Sequence, residues 1–197
     1  MTIIPVTLSG STVTLAPMAS EHLDQLCDAG LFPEIWQLAL APITNREQMR
    51  GYVEEALRHR DEGSVLPFVT VERASGRVIG STRFGNIDRA NRRLEIGWTW
   101  ITPQWQRTAV NTEAKYLMLR HGFEDLGALR IEFKTDALNA RSRAAIGRIG
   151  AVEEGTFRNH MVTALGRIRD SVYFSIIDSE WPAVKARLEE KMGEGKG

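Results

Sequence analysis

Apolar and polar positions change period several times along the chain, and each change marks an element. Val13 and Leu15 alternate with threonines and an alanine, which predicts a first strand. Ser20 is placed to cap a short helix carrying Leu23, Leu26 and Cys27, ended by Gly30. Thr44 and Glu47, three residues apart, make a capping box. Behind it Met49, Tyr52, Val53, Ala56 and Leu57 recur at helical spacing until Gly63.

The period then shortens. Val65 to Val71, Arg77 to Ile87 and Arg92 to Ile101 read as strands, separated by the turn residues Ser75-Gly76 and Asp88-Arg-Ala-Asn91. From about Ala109 to Leu126 the spacing is helical again. Val110, Ala114, Leu117, Met118 and His121 lie on one face, widened by Leu119, Phe123 and Leu126, as in a helix packed on a sheet. Leu129 to Asp136 predicts a fifth strand, and Ala140 to Ile149 a short helix stopped by Gly150. Two more strands span about Ala151 to Val162 and Arg167 to Ile177. Ser179 is placed to cap a last helix with Pro182 in its first turn. A meander, one crossover helix and further strands predict an α+β fold, a mixed sheet with helices on both faces. One domain over residues 1–192 and a frayed tail at 193–197 complete the expected organisation.

Charge narrows the function classes. Lys+Arg and Asp+Glu balance at 25 each, so no net field draws in nucleic acid or an anionic membrane. The single cysteine, Cys27, rules out an internal disulfide and a cysteine-rich metal site, and no metal is expected. No apolar run approaches the ~20 residues that span a bilayer, and Met1 to Pro5 have no signal-peptide character. A cytoplasmic location is expected.

The junction from Leu94 to Glu113 carries the chemistry. A strand there feeds a helix whose first N–H groups and positive dipole end suit a phosphate, with Gln106 to Thr112 wrapping the entry. An ordinary connecting loop, with Pro103 as its turn residue, fits the same spacing. Asn139 suits the capping region of the short helix behind it, and Trp98 and Trp100 share a strand face, where packing accounts for them. No Gly-x-x-x-x-Gly-Lys-Ser/Thr loop is present for a nucleotide phosphate.

Glu95-Ile-Gly97-Trp98 followed by Gln106-x-x-Ala109-x-Asn111-Thr-Glu-Ala114 resembles the acetyl-coenzyme A segment of the GCN5-related N-acetyltransferases. The likeness is greatest to the RimJ/RimL-like branch, which acetylates ribosomal-protein N-termini. It extends through Asn139-Ala-Arg-Ser142, Ile149-Gly150 and Glu154-Gly155, more faintly to Tyr173 and Glu180-Trp181-Pro182, and covers about 100 residues from Gly80 to Pro182. Ala109 stands where the family usually has glycine and Asn111 where it has glycine or alanine, and asparagine tolerates positive φ.

The resemblance implies a sheet that splays between its fourth and fifth strands, Arg92 to Ile101 and Leu129 to Asp136. It implies acetyl-coenzyme A in that split, its pyrophosphate on the amides of Arg107, Thr108, Ala109, Val110, Asn111 and Thr112, with Gln106 and Thr102 beside it. The amide of Trp100 or Ile101 would hold the acetyl carbonyl, Asn139 the pantetheine arm, and Arg141, Arg107, Lys134 or Arg143 the 3′-phosphate. Ser142 is implied near the sulfur as proton donor to the thiolate. His160, Glu95 and Glu154 compete as general base for an amine acceptor. Homodimers are common in the branch. A non-catalytic acyl-coenzyme A sensor is the alternative reading.

Overall fold

The computed structural model describes residues 1–194. Its strands are β1 (Leu8–Ser9), β2 (Val13–Pro17), β3 (Leu66–Glu72), β4 (Val78–Asp88), β5 (Arg93–Ile101), β6 (Arg130–Asp136), β7 (Val152–Val162) and β8 (Ile168–Ile177). They form one sheet in the order β1-β2-β3-β4-β5-β6-β8-β7. Every neighbouring pair is antiparallel except β5 and β6. That parallel pair requires a crossover, which α4 (Ala109–Arg120) supplies, extended by a π-helical turn at His121–Asp125.

Helices α1 (Leu23–Gly30), α2 (Pro33–Trp36) and α3 (Arg46–Asp61) cover one face of β2 to β5. Met18, Leu26, Trp36, Met49, Val53, Val69 and Trp100 form the core beneath them. The opposite face is closed by α4, α5 (Ala140–Arg148) and α6 (Trp181–Glu194) over Leu15, Phe68, Phe84, Leu94, Ile96, Ile131, Phe133 and Phe174. Among the described residues the first face lacks a helix over β6, and the strand says why. Arg130, Glu132, Lys134 and Asp136 alternate with Ile131, Phe133 and Thr135, so one side is charged while the other is core.

The strand boundaries fall within about a residue of the periodicity. Some ends differ. Ser20 lies in a 3₁₀ turn, Ser20–His22, where the His22 ring accepts the Ala19 N–H at 3.0 Å. The α3 cap is Asn45, whose Oδ1 accepts Gln48 N–H at 2.9 Å, while Gln48 Oε1 takes the Thr44 N–H at 2.7 Å. The Thr44–Glu47 pair is thus displaced by one residue, onto Asn45, a better cap than threonine, and Gln48. In the expected tail, residues 193 and 194 continue α6, and 195–197 lie outside the described residues.

Candidate active site

Three rungs join β5 to β6: Arg93 with Arg130, Leu94 with Ile131, and Glu95 with Glu132. From Ile96 and Phe133 onward no rung joins them. Both strands run on past this point, so the sheet opens toward their C-terminal ends, where the α4 and α5 N-termini also lie. Crevices at the carboxyl ends of strands are the common ligand site in sheets with parallel pairs.

β5 is also distorted at this opening. Ser81 pairs with Trp100 and Arg83 with Gly97, which leaves one extra residue in β5. Trp98 takes up the excess at φ +50°, a left-handed conformation uncommon for a bulky side chain. Its ring lies over Gly85, where a Cβ would stand 2.4 Å from it. Past the bulge, Thr102 N–H donates to the Ile79 carbonyl at 2.8 Å. By strand alternation the Ile101 backbone therefore faces the opening rather than β4. Its carbonyl accepts Gln106 Nε2 at 2.9 Å, and its amide points the same way.

The loop to α4 reaches the helix through Arg107 at φ +62°. The left-handed residue is therefore Arg107, and Asn111 sits helically in the first turn of α4. Thr108 caps the helix: its Oγ1 accepts Val110 N–H at 3.3 Å and donates to the Trp105 carbonyl at 2.8 Å. The N–H groups of Ala109 and Asn111 precede the first intrahelical bond and point out of the helix end, whereas Thr112 begins the ladder. Arg141 reaches across from α5 to Gln106 Oε1, which ties the two helix N-termini together. Asn139 caps α5, its Oδ1 accepting Ser142 N–H at 3.0 Å, so that carbonyl oxygen is engaged; Ser142 is half-buried beside it.

Other expected residues are held by packing. Trp100 is buried against Trp36 and donates Nε1–H to Tyr52 at 3.3 Å. Thr102 is buried and its hydroxyl lies 2.8 Å from the Ala29 carbonyl, tying β5 to the end of α1. Arg143 pairs with Glu153 at 3.2 Å, on the surface.

Two of the base candidates, Glu95 and Glu154, lie on the face away from α4, in a groove with Asn86, Arg93, Arg130, Glu132, Phe157 and Tyr173. Glu95 is buried there, its Oε2 accepting Asn86 Nδ2 at 2.6 Å with Lys134 Nζ at 3.4 Å. Lys134 in turn lies 5.7 Å from the Tyr173 ring. Glu154 is committed to an ion pair: hydrogen bonds from Arg130, and then Ser175, outweigh burial and hold its carboxyl below the usual range. His160 stands further out, edge-on to Phe157 and Tyr173 at 5.4 and 5.7 Å, with Nδ1 buried and unpartnered.

Three buried cations among the described residues, Lys115, Arg83 and Arg169, were not singled out in the sequence. Lys115 of α4 is buried against the sheet, 2.5 Å from Thr99 Oγ1 and 3.2 Å from Thr82 Oγ1. Burial alone lowers its pKa to about 7. A lysine at i−3 and i−4 from the core residues Met118 and Leu119 was the signal available. Arg83 is the second, and nothing in the alternation of β4 sets it apart; Arg169 of β8, whose Nε donates to Ser171 Oγ at 3.1 Å, is the third. Among the described residues no group of three or more His, Cys, Asp or Glu side chains is placed to hold a metal ion, and no helix is long and apolar enough to cross a membrane.

Residues 12–152 match a family model described as an acetyltransferase (GNAT) domain. The chain belongs to the GNAT family. Among its relatives is YdaF of Bacillus subtilis (strain 168), named as a candidate ribosomal N-acetyltransferase. The two are 33% identical over 110 residues, 56% of this chain and 59% of YdaF. A GCN5-related N-acetyltransferase from Brucella melitensis has a similar structure, with TM-score 0.88 at 32% identity, covering 95% of this chain and 86% of that one. RimJ of Mycobacterium smegmatis, solved in complex with CoA-disulfide, shares the fold at TM-score 0.82 and 22% identity, covering 96% and 95%. GNAT proteins are acetyltransferases that use acetyl-coenzyme A.

Proposed function

We propose that this GNAT protein moves an acetyl group from acetyl-coenzyme A to a primary amine, a peptide N-terminus or a small amine, by direct attack in a ternary complex. The observation that carries the reading is the end of β5–β6 pairing at Glu95 and Glu132. It opens a slot between two strands, with helix N-termini at its outer end and a polar groove on its other face.

The residues suit the steps. Amides of Ala109 and Asn111 at the positive end of α4, with Arg107 and Thr108 in the loop before them, receive the pyrophosphate. The bound thioester offers an activated acyl carbon and a thiolate leaving group. The Ile101 amide faces the slot and stabilises the carbonyl oxygen as negative charge develops on it. An acceptor amine, with a free pKa near ~10, must lose a proton before attack. Glu95 borders the slot on the acceptor side and serves as base, directly or through water. His160, one aromatic ring beyond Lys134, belongs to the acceptor wall. The Ser142 hydroxyl at the α5 N-terminus supplies a proton for the thiolate. A second copy of the chain is a further partner, for which Phe157, Val162, Leu165 and Ile168 are exposed on the β7–β8 hairpin.

Thiol release from acetyl-coenzyme A, measured over a panel of amines and short peptides, tests the reading. At least one acceptor should turn over. Asn111→Arg should raise the KM for acetyl-coenzyme A about tenfold by crowding the α4 N-terminus. Coenzyme A binding without turnover on any acceptor would favour a sensor; an unchanged KM in the variant would remove the pyrophosphate from α4.

A further inference from the structure

Arg83 lies on β4 directly opposite Gly97, two residues past the last rung between β5 and β6. It is 1% exposed, among the largest fully buried side chains of the molecule. Its guanidinium carbon stands 4.3 Å from the centre of the Tyr52 ring and 5.4 Å from that of Trp98. Two aromatic rings therefore flank it, which suits a cation. Neither ring accepts its N–H groups in the plane. Nε and Nη2 are buried and have no hydrogen-bond partner, and among the described residues no carboxylate pairs with the group. A buried charge in this condition is expensive, and natural structures rarely leave one so.

The identity of the two unpartnered atoms narrows what is missing. Nε and Nη2 share one edge of the guanidinium, and that edge takes a carboxylate side-on through two parallel hydrogen bonds. Glu95, on the same face, is engaged by Asn86 and Lys134. The Trp98 ring beside the guanidinium is unusual too. Trp98 is 41% exposed, holds a left-handed φ of +50°, and rests on Gly85, where any Cβ would displace its ring. Such strain in a bulky residue beside a slot accords with a ring that moves when a ligand enters.

The geometry points to Arg83 as a carboxylate-binding residue at the reaction site, which takes an anionic group of one reactant between Tyr52 and Trp98. Its place on the face opposite α4 assigns that carboxylate to the amine acceptor: an amino acid or amino-acid derivative rather than a plain amine. The assignment to an acceptor rests on the acyl-transfer reading; the carboxylate chemistry of Arg83 does not.

Glycine, β-alanine, 4-aminobutanoate and 6-aminohexanoate, each compared with its carboxamide, serve as probes. With acetyl-coenzyme A, at least one acid should exceed its amide in kcat/KM by about 10- to 100-fold, the range of hydrogen bonds to a charged group. The preference should fall to within about twofold in Arg83→Met, and also in Arg83→Lys, which keeps the charge but loses the two-pronged edge. Coenzyme A affinity should be unchanged in both. A second arm compares acetyl- with succinyl-coenzyme A. A preference for succinyl that depends on Arg83 would keep the carboxylate but overturn its assignment to the acceptor. A third reads intrinsic tryptophan fluorescence as the four acids are titrated onto the protein alone, with Trp98→Phe as the control that assigns the signal among the five tryptophans. A change in the wild type that is lost in Arg83→Lys supports the site even if no amine turns over, an outcome that would sink only the acyl-transfer reading. No preference in either kinetic arm together with no fluorescence change overturns the proposal, and so does a preference that survives both substitutions.

Discussion

Burial leaves the Lys115 ammonium with two threonine hydroxyls for company, and desolvation lowers its pKa to about 7. In the unfolded chain the amine titrates near 10.5. Between those values the unfolded state holds the extra proton, so stability rises as pH goes from about 7 to 10.5. Lys115→Met should abolish that rise and add about 1–3 kcal/mol near pH 6, since replacing a buried charge by an apolar side chain is often stabilising. Urea unfolding at several pH values reads both effects; a wild-type stability flat across the window would contradict the burial argument. Single residues were the least legible scale in the sequence. Asn139 could be read as a cap because capping is local, and it does cap. Arg83 and Lys115 could not be read, because their burial depends on which distant strand or helix face covers them.

Elements were read more faithfully, since their period is written in the chain itself. β1, with two residues, and α2, with four, are too short to show a period. The bulge at Trp98 is also silent, because one inserted residue leaves the alternation on either side intact. A long-range tie between elements was likewise hidden. Glu113 of α4 accepts the N–H groups of Ser11, Thr12 and Val13, all at 2.7 Å, along with the Ser11 hydroxyl. Burial works to raise its pKa, but the hydrogen bonds from Ser11, Val13 and Thr12 prevail and hold the carboxyl low. A depressed carboxyl stabilises the fold above its unfolded pKa of about 4.5, and that contribution is lost as pH falls through the folded value. Glu113→Ala should cost about 3 kcal/mol near neutral pH through three unpaired amides. It should also flatten the acid limb of a stability-versus-pH curve, whereas an acid limb unchanged from wild type would show the carboxylate to be idle.

At the scale of the molecule, periodicity predicted a mixed sheet with helices on both faces. The splay entered only through resemblance, because a parting of strands depends on rungs that are missing rather than on residues that are present. Coenzyme A should bind the folded state alone. At 100 times its Kd it should add about 2.7 kcal/mol, which for a chain of this size raises Tm by ~5–10 °C. Differential scanning calorimetry would measure the shift, and Asn111→Arg should reduce it at the same concentration.

The β5–β6 joint has three rungs, while β4–β5 has six paired positions and β6–β8 seven. Mechanically, the sheet is two stiff plates pinned at one corner. Small rocking about that corner is largest at the far, open end. Anything wedged there works as a brace, so occupancy on the α4 side stiffens the charged groove on the other side of the same plates. One reactant would then set the shape of the surface that meets the second.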